Sequence, residues 1–65
     1  MFSAKLQNSL EYYTLQVNES PEMAEKMALA FEEKFGKLGK YDQMDMAMII
    51  ERDGWETAFE KIETL

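Results

Sequence analysis

Sixty-five residues, 46% of them hydrophobic, suffice for one domain with a small core, and 13 acidic against 7 basic side chains give a formal charge of -6. The chain contains neither cysteine nor histidine, which excludes disulfides, thiolate or imidazole metal ligands, cysteine nucleophiles and serine–histidine machinery. The longest apolar run, Ala47-Met48-Ile49-Ile50, falls far short of the roughly 20 residues that span a bilayer, and no basic segment followed by an apolar stretch marks a secretory signal; a soluble cytoplasmic protein is expected.

The first predicted element is a helix over about residues 3–17. Phe2, Leu6, Leu10, Tyr13 and Val17 recur at steps of four, four, three and four, which places them within an arc of roughly 80° on a helix. Ser3 is positioned to cap its start and Asn18 to end it. Tyr12 and Leu15 lie off this stripe. They either widen the core face or leave a small exposed patch open to self-association.

Ser20-Pro21-Glu22-Met23 is the clearest boundary in the chain. Ser20 offers a hydroxyl to the free amides of a helix start, Pro21 suits the first helical position, and Glu22 places negative charge at the positive end of the helix dipole. The second helix is predicted from Pro21 to about Phe35, with Gly36 as a left-handed C-terminal cap. Lys34 and Lys37 complement the dipole there, and Glu22–Lys26 and Glu33–Lys37 are favourable pairs four apart. Met23, Ala24, Met27, Ala28, Ala30, Phe31 and Phe35 form a broad apolar arc. Leu29 stands apart from them, on the side of Glu22, Glu25, Glu32 and Glu33. It is either an ordinary exposed leucine or an anchor with an acidic rim, in the manner of interface hot spots.

Gly36-Lys37-Leu38-Gly39-Lys40 reads as a turn and, with Lys34, is the one local basic cluster. Its Gly-x-x-Gly spacing is shared with the loop by which KH domains clamp a nucleic-acid backbone, but such a domain also needs three strands, which this chain does not offer. The spacing does not fit a phosphate-binding P-loop. Helix termination and a tight turn explain the same residues without a ligand.

A third helix is expected from Asp42, as its cap, to about Arg52. Met44, Ala47 and Met48 project one way from it, while Met46, Ile49 and Ile50 project roughly the opposite way. A helix apolar on both sides is either central to the core or shared between two interfaces. The alternation of Met44, Met46 and Met48 also has the period of a strand, but a strand without a partner makes no sheet. Asp53-Gly54 favours a break over the alternative of one bent helix, in which a single glycine costs only about 1 kcal/mol, and Asp53 is placed to cap a fourth segment from Trp55. In that segment Trp55, Ala58, Phe59, Ile62 and Leu65 make one apolar stripe. Glu56, Glu60 and Glu63 share an arc of about 60°, which is either a solvated face or an acidic strip that imitates nucleic-acid phosphate and docks on a basic surface. Asp42, Asp45, Glu51 and Asp53 extend the negative field. Asp42 and Asp45 lack the register of a calcium loop.

The expected fold is therefore all-α: a compact bundle of three to four short helices in one domain over residues 1–65, with homodimerisation as one way to complete a core this small. Its core is expected to hold Leu6, Leu10, Tyr13, Val17, Met27, Phe31, Phe35, Trp55, Phe59 and Ile62, with Trp55 locking the turn between the third and fourth helices. No catalytic residue, cofactor or metal site is expected. The expected function is that of a non-enzymatic module that binds a protein partner and modulates or inhibits it, through Leu29, through Met44, Met46, Met48, Ile49 and Ile50, and through Glu56, Glu60 and Glu63. The alternatives are a self-associating structural subunit and, less favoured, a nucleic-acid binder using Lys34, Lys37 and Lys40.

Overall fold

Capping chemistry sets where the chain enters each of its first two helices. In the computed structural model, which describes residues 2–64, the Leu6 amide donates to Ser3 Oγ at 3.2 Å, and α1 runs Ala4–Val17. The Glu22 amide donates to Ser20 Oγ at 3.2 Å, and α2 runs Pro21–Lys37 with proline in its first turn. Asn18 closes the link between them: its Nδ2 donates to the Thr14 carbonyl at 2.8 Å and reaches Met27 Sδ at 3.2 Å. The free carbonyl at the end of α1 is satisfied by that side chain.

The end of α2 departs from the sequence expectation. The helix continues through Gly36 to Lys37 and is capped by Leu38 in an extended conformation, and among the described residues Gly54 alone has positive φ. No left-handed glycine is needed because the Leu38 amide closes the last turn on the Phe35 carbonyl at 3.1 Å, and α3 adds a further donor. Gln43 Nε2 donates to the Phe35 carbonyl at 3.1 Å and the Leu38 carbonyl at 3.2 Å.

That same short connection moves the start of α3, which runs Lys40–Asp53 with Gly39 rather than Asp42 at its N-cap. Asp42 falls instead in the first turn, where its charge still opposes the positive end of the dipole. Gly54 separates α3 from α4, Trp55–Ile62, and caps both. Asp53, expected as the cap of α4, is the last residue of α3 and pairs with Arg52 Nη2 at 3.0 Å.

The four helices found among the described residues, with no strand, make an all-α bundle. α1 packs chiefly along α2 and α3 along α4, and α2 also touches both α3 and α4. Phe31 of α2 is at the centre. Its ring lies 4.7 Å from Phe59, 5.3 Å from Trp55 and 6.1 Å from Phe2, measured between centroids. Leu10, Phe31 and Met46 are fully buried, and Phe35, Ile50, Trp55, Ala58 and Ile62 complete the interior with Ala28. Trp55 Nε1 donates to Ser9 Oγ at 2.8 Å, which satisfies the indole and ties α4 to α1.

Six expected apolar contributions are reduced. Val17 is exposed, because the α1 stripe runs one turn beyond the packing and Asn18 takes the adjoining contact with Met27. Met23 is also exposed, and Leu6, Tyr13, Met27 and Phe59 are half-buried at the core margin. Leu65 lies outside the described residues. Thr14, which the apolar periodicity passes over, is buried and donates its hydroxyl to the Glu11 carbonyl at 3.0 Å.

Candidate functional site

α3 divides its apolar residues between two sides. Met46 and Ile50 face the interior, and Ile49 and Ala47 are half-buried beside them. Of the residues expected to meet a partner, Met46 and Ile50 are therefore core residues. Met44 is 57% exposed and Met48 59%. Tyr41, 79% exposed, lies three residues before Met44, so the three side chains share an arc of about 60° on the outer side of the helix. The sequence reading missed Tyr41, although the steps of three and four that join it to Met44 and Met48 were legible there. Exposed Asp45, Glu51 and Arg52 flank the stripe. Met44 also lines a cleft of about 240 Å³ where α1, α2 and α3 meet, together with Leu6, Phe35 and Ala47.

A second concave surface lies between α1 and α2, a groove of about 360 Å³. Buried Thr14, Ala24 and Ala28 are among its lining residues, as are the exposed leucines Leu15 and Leu29. Three carboxylates, Glu11, Glu25 and Glu32, line it as well. Leu29 thus stands with acids, as its position on the helical wheel suggested, and the groove unites it with Leu15 of the neighbouring helix. Tyr12 is exposed but is not among the residues lining the groove.

The acidic row of α4 is shorter in effect than its spacing implies. Glu56, Glu60 and Glu63 are all exposed, but Glu63 is engaged by Lys34 Nζ. Glu56 and Glu60 act on Tyr13. Burial first, and then the charges of these two carboxylates, hold its hydroxyl above the ordinary tyrosine value, since both disfavour the phenolate. In the basic turn, Lys34 faces Glu63, and Lys37 Nζ lies 3.3 Å from Glu33. Two of the three lysines thus already meet carboxylates. The Glu22–Lys26 pair is not formed among the described residues, while Glu33–Lys37 is.

Among the described residues no group of three or more carboxylates is placed to hold a metal ion, and no helix is long and apolar enough to cross a membrane. Comparison with protein-family models, with curated proteins and with solved structures finds no match for the chain.

Proposed function

We propose that this protein is a small non-enzymatic binding module that modulates a partner protein through the outer side of α3. The observation that carries this reading is the exposure of Met44 and Met48 on a helix whose opposite side, Met46 and Ile50, already serves the core. Methionine side chains are flexible and polarizable and adapt to the shape of what they meet. With Tyr41 they form an apolar strip bordered by charge, the arrangement of an interface centre and its rim. Exposed Glu56 and Glu60 add a negative field that would speed encounter with a basic surface more than it would add affinity.

The test is affinity capture from native lysate with the wild-type protein and with the paired substitution Met44→Asp, Met48→Asp. Both sites are exposed, so the variant should keep its helical circular dichroism. Loss of a specific captured protein supports the reading; undiminished capture of the same protein would end it. Self-association through the same strip is the competing assignment. It has to bring together two copies that each carry a charge of -6. Sedimentation velocity across concentration separates the two, because a protein that stays monomeric leaves the strip to a different partner.

A further inference from the structure

We propose that the groove between α1 and α2 receives one face of a basic amphipathic helix from a partner protein. Side chains as small as Thr14, Ala24 and Ala28, buried where the two helices meet, leave depth between them. Leu15 and Leu29, 55% and 56% exposed, offer apolar surface beside it. A ridge of aliphatic side chains from a third helix fits such a groove in the way helices pack generally.

The rim specifies the sign of the occupant. Glu11, Glu25 and Glu32 line the groove, and none belongs to an ion pair among the described residues. Along α2 the order is Glu25, Leu29, Glu32, at steps of four and three, so the apolar anchor sits between two carboxylates on one face. Lysine and arginine can lay their aliphatic stems over the leucines and carry their charges to the carboxylates. A second copy of this chain brings the wrong charge, and a nucleic-acid phosphate is repelled. The inference shares with the preceding section only the premise that the partner is a protein. It uses a surface that includes none of Tyr41, Met44 or Met48, so either can fail alone.

The probe is a synthetic helix of about four turns, roughly 21 Å long, with leucine along one face and lysine on the rest, titrated against the intact protein at low salt by fluorescence anisotropy. Saturable equimolar binding is expected. Glu25→Lys with Glu32→Lys should weaken it by about tenfold or more, whereas Glu56→Lys with Glu60→Lys, the same change of net charge elsewhere, should leave it within about twofold. Leu29→Asn, which alters no charge, should weaken it at least about threefold. Met44→Asp with Met48→Asp should leave it unchanged, even if that pair abolishes capture of the α3 partner. The proposal is overturned by absence of saturable binding, or by equal weakening from the two charge reversals, which would mean diffuse attraction only. It is also overturned if the protein alone dimerises and Leu29→Asn abolishes the dimer, since the groove would then be filled by a second copy.

Discussion

α3 and α4 are neighbours joined at one residue, yet they divide their apolar side chains differently. α4 has eight residues and a single stripe, and nearly all of it is buried: Trp55, Ala58 and Ile62 lie inside and Phe59 at the margin. α3 has 14 residues and two stripes, of which the fold uses one. Folding alone accounts for the pattern of α4. It leaves more than half of Met44 and Met48 exposed on the outer stripe of α3, and the proposed binding role rests on that remainder.

The comparison can be broken most forcefully at Trp55. Trp55→Ala removes a ring packed near Phe31, Phe2 and Phe59 and orphans the Ser9 contact. The expected loss is about 3–5 kcal/mol, comparable with the whole net stability of about 3–5 kcal/mol available to a domain of this size. The variant should show little helical circular dichroism at 25 °C. Within α3, Met46→Ala should cost about 2–5 kcal/mol, but Met48→Ala should stay within about 0.5 kcal/mol of wild type, both read from urea midpoints. Equal costs would mean that α3 has no spare face.

Gly54→Ala probes the separation of the two helices. Beyond its chain neighbours nothing lies within 4 Å of the added Cβ, so its cost comes from the backbone, held at φ 93°, and should be about 1–3 kcal/mol. An increase in thermal midpoint would instead mean that α3 and α4 can run on as one helix. The smallest effect is at Tyr13. Its folded-state hydroxyl is raised, by burial first and by Glu56 and Glu60 next, so the folded form holds its proton more tightly than the unfolded chain. Its contribution to stability is full below the ordinary value of about 10 and is lost as pH rises through the folded-state value. Tyr13→Phe should flatten the alkaline fall in stability relative to wild type.

Much of this fold was legible from local chemistry. Ser3, Ser20-Pro21 and Gly54 mark boundaries by what their own backbone and side chains can do, and the α4 stripe identifies its buried face. The misplaced boundaries at Gly36 and Asp42 both turn on backbone geometry where α2 meets α3. The Leu38 amide closes α2 on the Phe35 carbonyl, the Gln43 amide opens α3 on the Gly39 carbonyl, and the Gln43 side chain bridges the two helices, a geometry that residue type alone does not specify. The candidate surfaces divide in the same way. The outer stripe of α3 can be counted off the sequence, Tyr41 included, because it belongs to one helix. The α1–α2 groove cannot, since it exists only once the packing of α1 along α2 brings Leu15 and Leu29 to the same cleft.

The elbow at Gly54 has a mechanical corollary. Its amide donates to the Ile50 carbonyl at 3.2 Å, and its carbonyl accepts from the Ala58 amide at 3.1 Å, so the residue is woven into both ladders and no slack remains between them. Trp55 is anchored directly behind it by the Ser9 hydroxyl, while Met46 and Ile50, buried on the inner side of α3, turn Met44 and Met48 outward. A partner of the proposed surface would then meet a helix already formed and be spared the cost of ordering it, and loosening the elbow should be felt at a surface that it never touches.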